Sequence, residues 1–456
     1  MTPKKSFSER ASDWVQYSLT LRLLTIGFLI LILLIPVNMV SSLIGERQSR
    51  QYEAVNEISE KWGLSQTLNG LILTVPYYEY SKVVKESSNS NEGNSVTYET
   101  VRSTNYMHFL PDQLTIDGAI DPEKRYRGIF EVVVYKAFIQ IKGSFSHPDF
   151  SNTGIEATNI LWEQAQLSFE LSDLRGIQNS VAVQWNQHKV AFEPGSPDIN
   201  NGISAPVPLD TENANVNYAF ETQIDFNGSS SLSFTPLGKT TDVSLHSTWP
   251  NPSFSGNFLP DQREISEKGF EADWKVLYVN RSYPQRLDYI SGKLKESAFG
   301  VNLYVPADEY QKSTRAAKYA VLFIMLTFAI FFFVQIFRKI RIHPFQYIVV
   351  GLALCVFYTL LISISERLNF SMSYLISSTA IIGIITVFTA RIFRNGRITT
   401  MIAALLVVLY GFIYNLIQAE DPLLAGSIGL FVILCVLMWV SSKIDWYNTY
   451  RKDPEN

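Results

Sequence analysis

The sequence predicts a mixed membrane protein. A β-rich domain is inserted between an amino-terminal transmembrane helix and a carboxyl-terminal bundle of five transmembrane helices. Three observations lead there. The 456 residues are 47% hydrophobic and only 18% charged, a balance between soluble and polytopic proteins. The apolar residues gather into six long runs. The polar stretch after the first run, 45–315, holds 23 Lys and Arg against 34 Asp and Glu, a balance of −11 in a chain whose total is −4. That acidic segment repels nucleic acid, which is excluded as a partner.

The runs are 23–44, 316–337, 346–364, 372–390, 400–416 and 422–440. A helix needs about 20 apolar residues to cross the hydrocarbon core, so the bilayer is a partner of each. Lys4, Lys5, Arg10 and Arg22 precede the first run as in a signal peptide. Its apolar stretch is too long for one, however, and no small-residue cleavage site follows. It reads as an uncleaved anchor bent at Pro36.

Lys and Arg of short loops set the orientation. Those four cations share a side with Arg338, Lys339, Arg341, Arg391, Arg394, Arg397, Lys443, Arg451 and Lys452, whereas the opposite short loops hold only Arg367. The segments 1–22 and 441–456 are therefore expected in the cytoplasm, 45–315 outside and 316–440 as the bundle. Trp14, Trp439, Trp446 and Tyr447 fall where an inner aromatic belt belongs.

After the first span, GERQSRQYEAVNEISEKWG reads as the helix continuing outward, with Glu46 and Arg50 four apart. Strands are expected at 129–145, 167–174, 217–226 and 274–280, rich in β-branched and aromatic residues. Asn227-Gly228 and Gly195-Ser196-Pro197 are turn signals between them, and 81–96 is a polar tip. FLPDQ occurs at 109–113 and again at 258–262. It marks either an internal duplication or two junctions that share the turn chemistry of Pro and Asp.

Signatures of catalysis are missing from the sequence. There is no H-E-x-x-H, G-x-S-x-G or C-x-x-C. Gly238-Lys239-Thr240 resembles the end of a P-loop, but Ser233 stands where the motif needs Gly. Cys355 and Cys435 both lie in apolar runs, so 45–315 holds no disulfide or thiol nucleophile. His108, His147, His188 and His246 are isolated from one another, and no cofactor or metal is indicated. No charge sits near the centre of a span, which argues against ion-coupled transport. Ala425 and Gly429 form a small-xxx-small pair suited to close helix packing.

Two places stand out as candidate sites. In 247–274, Trp249, Pro250, Pro252, Phe254 and Phe258 crowd a loop that neither a helix nor a central strand accommodates. They form either an ordered crossover or an aromatic interaction surface. In RIHPFQYIVVGLALCVFYTLLISISER, His343 and Glu366 bracket one span and lie about 35 Å apart along a helix, at opposite interfaces. His343 and Pro344 then mark the cytoplasmic interface, Pro344 in the first turn of its helix. Glu366 is level with Arg315 and Lys318 of the preceding span, and an ion pair with one of them is expected.

Distinctive stretches run in order along nearly the whole length: IPVNMVSSLIGER, RYRGIF at 125–130, SDLRGI at 172–177, WPNPSFSGNFLP, RAAKYAVLFIMLTFAIFFF, HPFQYIVVGLAL, FYTLLISISE and IDWY. In these the chain resembles the CreD family of inner-membrane cell-envelope integrity proteins. One departure is Gly70-Leu71, where the family pattern has Gly-Pro. The resemblance implies a Gram-negative inner-membrane protein with a periplasmic insert, tied to envelope maintenance and a two-component stress response. It brings no catalytic residues with it. A non-enzymatic protein acting on an envelope protein or lipid partner is therefore expected. The alternatives are a transporter or lipid-handling protein, and a periplasmic hydrolase whose acids and histidines meet only in the fold. The sequence specifies no ligand and no oligomeric state.

Overall fold

A computed structural model describes residues 19–87, 95–196, 202–211, 213, 215–290, 292–303, 309–338, 340, 342–419 and 421–444. Lys4, Lys5, Arg10, Trp14, Lys339, Arg341, Trp446, Tyr447, Arg451 and Lys452, and Pro197 of the turn signal, lie outside the described residues. The chain divides into two compact units, 1–52 with 307–456 and 53–306.

Among the described residues, six helices are long and apolar enough to cross a membrane. They are α1 (Leu19–Trp62), whose end from Glu53 onward belongs to the second unit, and, in the first unit, α4 (Ala320–Phe337), α5 (Pro344–Ser365), α6 (Phe370–Phe393), α7 (Gly396–Gln418) and α8 (Pro422–Ser442); α2 (Gly292–Glu296), in the second unit, and α3 (Glu309–Lys318), in the first, are short. α1 runs unbroken through Pro36 and GERQ to Trp62, so the continuation beyond the first apolar run is helical. The apolar run from Ala316 is divided at Tyr319, between α3 and α4. Asn369 and Asn395 cap α6 and α7, each accepting backbone N–H groups of the first turn. Tightly packed aromatics fill the bundle: Phe323 meets Phe357, Tyr358 and Tyr410. Gly429 lies against Phe412, where a Cβ would come within 2.1 Å of the ring; the small residue admits the ring, as its spacing indicated.

The second unit is a β-sandwich. Its strands are β1 (Gln66–Ser87), β2 (Ser95–Phe109), β3 (Gln113–Arg127), β4 (Phe130–Ser146), β5 (Gln166–Leu171), β6 (Ala182–Trp185), β7 (His188–Ala191), β8 (Glu193–Pro194) and β9 (Gly202–Pro206). They continue as β10 (Asn217–Ser229), β11 (Ser231–Thr235), β12 (Thr240–Ser247), β13 (Pro252–Gly256), β14 (Gln262–Ser266), β15 (Gly269–Leu277), β16 (Arg286–Leu287) and β17 (Phe299–Leu303). One sheet runs β13-β17-β11-β1-β5-β9-β8, with β2 on β1 and β16 on β2; the other runs β14-β15-β12-β3-β4-β10-β6-β7. Each has one parallel pair near its middle, β1 with β11 and β3 with β12. Alternation drives the packing: β3 over 113–120 and β10 over 217–226 bury every second residue. Leu73 and Phe234 of one sheet share a core with Ile116 and Ile139 of the other, and Trp274 tilts on Phe299 across it.

Three local expectations change. Asn227-Gly228 is not a turn but the interior of β10, opposite Lys136 and Tyr135. Tyr135 requires the glycine, because a Cβ there would lie 2.3 Å from its ring; the chain passes from β10 in one sheet to β11 in the other at Ser230, with φ 62°. The strand expected at 274–280 ends at Leu277, and Tyr278–Asn280 is a 3-10 turn. The polar tip is shorter than 81–96, since paired strands reach Ser87 and Ser95.

The two FLPDQ segments occupy like corners. Each leaves one sheet and enters the other at the start of an antiparallel hairpin, β3–β4 or β14–β15. At the first, the Asp112 amide donates to the Ser144 carbonyl and the carboxylate accepts from the Ser146 amide at 2.7 Å. At the second, the Asp261 amide donates to the Asp273 carbonyl and its carboxylate accepts from the Lys275 amide at 2.8 Å. The shared letters therefore encode one corner chemistry, used twice.

Candidate functional site

The aromatic loop turns inward. Trp249 is 6% exposed, and its indole N–H donates to the Asn251 carbonyl. Phe254 packs edge-on against Phe270 and Trp274, and Phe258 against Phe299. Pro252 starts β13, an edge strand, where a missing N–H is tolerated. Pro250 and Pro252 are half-buried, and Leu259 is the large apolar side chain here that faces solvent. The ordered-crossover reading describes the packing of this loop: Trp249 is in the core, and Phe254 and Phe258 lie partly buried against it.

His343 caps α5. Its Nδ1 accepts from the Phe345 amide while the Gln346 side chain accepts from the His343 amide, and Pro344 sits in the first turn. Glu366 caps the other end and is met by Arg47 of α1, Nε to Oε1 at 3.6 Å, and by the Tyr310 hydroxyl at 3.2 Å. Neither Arg315 nor Lys318 is among its described partners. α3 buries Tyr310, Ser313 and Ala317 and leaves Arg315 and Lys318 exposed on another face. Shared depth alone was too weak a criterion, because helix phase decides which residue faces the neighbour.

The histidines stay apart. His108 is fully buried against Thr74, at 2.9 Å. His147 stacks on Trp162 and meets the Tyr218 hydroxyl, and burial pushes its pKa down. His188 and His246 are exposed. Among the described residues no three His, Cys, Asp or Glu gather as a metal site. Gly238-Lys239-Thr240 is the link from β11 to β12, and Lys239 pairs with Asp112.

RYRGIF and SDLRGI both work at the root of α1. Arg127 chelates Glu57, Nη2 to Oε1 at 2.9 Å and Nε to Oε2 at 3.0 Å. Lys61 and Arg127 hold the Glu57 carboxyl below its ordinary range. Arg125 lies 3.7 Å over the Trp62 ring, whose N–H donates to the Tyr135 carbonyl. Asp173 accepts from the Arg175 amide and guanidinium, which lower its pKa, and exchanges hydrogen bonds with Gln66. Gly176 is required there, since a Cβ would meet the Asn227 carbonyl at 2.4 Å. The two motifs thus clamp the helix end onto the sandwich.

The feature best placed to meet another molecule is an arm. From Tyr78 onward β1 pairs only with β2. The paired ribbon of ten residues per strand extends about 33 Å with both backbone edges free. Cross-strand register puts Tyr78, Tyr80, Lys82, Tyr98, Arg102 and Tyr106 on one face. Arg102 lies 4.3 Å over the Tyr78 ring, and the register places one acidic residue, Glu86, on that face near the arm's end. Tyr80 and Tyr98 are 53% and 64% exposed. The sequence carried the signal as alternating tyrosines, but two-sided exposure of a strand became visible only with its neighbours in place.

A β-sandwich inserted behind the first of six described helices long and apolar enough to cross a membrane defines a polytopic membrane protein with one large extramembrane domain. The family model for inner membrane protein CreD matches residues 18–447. Inner membrane protein CreD of Escherichia coli (strain K12) is 32% identical over 425 residues, 92% of this chain and 91% of that one. The chain belongs to the CreD family and is a multi-pass inner-membrane protein.

Proposed function

We propose that the protein supports envelope integrity without catalysing a reaction, its sandwich in the periplasm and both termini in the cytoplasm. The arm carries this reading. A tyrosine and cation face on an otherwise acidic domain fits an envelope partner with an acidic surface, since Tyr and Arg dominate such contacts. An isolated two-stranded ribbon is marginal in water, so a covering partner would stabilise it. The bias of Lys and Arg toward one side of the helices supports the orientation.

The test combines Tyr80→Ser, Tyr98→Ser and Arg102→Gln in one variant. Membrane levels should remain near wild type while resistance to envelope stress falls to that of a deletion strain. Full resistance at normal expression would refute the arm as the working surface. With Cys355 and Cys435 replaced, Tyr98→Cys should react with an impermeant maleimide in cells whose outer membrane is permeabilised. Labelling only after lysis would overturn the orientation.

A further inference from the structure

We propose that the groove between α4, α7 and α8 binds one acyl chain of an anionic phospholipid, with Arg338 receiving the headgroup. The groove encloses about 960 Å³. Of the side chains lining it, Arg338 alone is polar. It ends α4, is exposed, and has no carboxylate partner among the described residues.

Toward the other end the Phe412 ring lies against Gly429, and Ala425 continues the lining beyond that contact. From Leu326 to Arg338 the lining runs about 18 Å along α4, close to the about 15 Å depth of one leaflet. A chain tail fits between the Gly429–Phe412 contact and the interface, and its phosphate then falls at the guanidinium. α8 buries only 6% of its span, so the groove opens sideways to the bilayer rather than to water. A basic residue at the mouth of an apolar cleft between helices is the arrangement that separates anionic from zwitterionic headgroups.

Full-length protein in nanodiscs of phosphatidylcholine with increasing phosphatidylglycerol would be released and weighed by native mass spectrometry. The wild type should retain one phosphatidylglycerol, preferred about fivefold over phosphatidylcholine, the factor expected of one basic residue near a charged surface. Arg338→Gln should retain one lipid with that preference gone. Ile433→Trp, which fills the groove from the exposed helix, should retain neither. Equal retention of both lipids by the wild type, a preference surviving in Arg338→Gln, or dimers in place of retained lipid would each overturn the proposal.

Discussion

Removing the carboxylate of Asp112 should destabilise the sandwich far more than removing that of Asp261, although both close an FLPDQ corner by the same pattern. Asp112 accepts from the Ser146 amide at 2.7 Å and the Ser146 hydroxyl at 2.5 Å, and pairs with Lys239. Its side chain is 22% exposed. Asp261 accepts from the Lys275 amide and is open to solvent. A hydrogen bond to a charged group contributes about 1.5–3 kcal/mol when shielded, and solvent access cuts that. Asp112→Ala should therefore cost about 2–3 kcal/mol and Asp261→Ala below about 1 kcal/mol.

Burial raises the Asp112 pKa, but Lys239 and Ser146 outweigh it and hold the carboxyl below its ordinary value. Its contribution is thus complete above about pH 4, where the unfolded carboxyl also ionises, and is lost as pH falls through the lower folded value. Urea unfolding of the full chain in detergent, followed by tryptophan fluorescence, measures both effects. Equal costs at the two corners, or an acid dependence of the same size in Asp112→Ala as in wild type, would refute the reasoning.

Gly63→Ala should cost about 1–3 kcal/mol from backbone strain alone, because φ is 148° and a Cβ would lie 2.5 Å from the Asn227 carbonyl. Gly128→Ala, positive in φ but with open space around it, should cost about 1 kcal/mol in the same unfolding assay. A double-mutant cycle on Arg47→Met and Glu366→Gln should show coupling of about 0.5–1 kcal/mol, and the cycle on Lys318→Met with Glu366→Gln none; the reverse outcome would restore the pairing expected from depth. In the bundle, the Tyr374 hydroxyl donates to the Tyr410 carbonyl at 2.8 Å, while the buried Tyr410 hydroxyl has no described partner. Tyr374→Phe should lower thermal stability by about 1 kcal/mol and Tyr410→Phe should be neutral or stabilising, as read from melting in micelles.

The membrane plan was legible because a helix in lipid must satisfy its own backbone groups, and that demand writes long apolar runs directly into the sequence. Alternation placed the core strands for a related reason: a half-buried sheet needs period two. Asn227-Gly228 misled because its glycine answers the ring of Tyr135, about ninety residues away, and not a local turn. The aromatic loop was ambiguous because composition does not say which way a ring points. FLPDQ posed a question of ancestry that hydrogen-bond geometry recast as one of corner chemistry.

By itself the sequence determined the order of membrane helices, the β character and acidity of the insert, and the family, since each rests on local periodicity or composition. Tertiary structure decided what contact requires. It chose Arg47 and Tyr310 for Glu366, turned Trp249 into the core with Phe254 and Phe258 packed against it, and left the tyrosine face of the arm uncovered. Such choices depend on helix phase and sheet neighbours brought together across the chain, and no window of residues contains them.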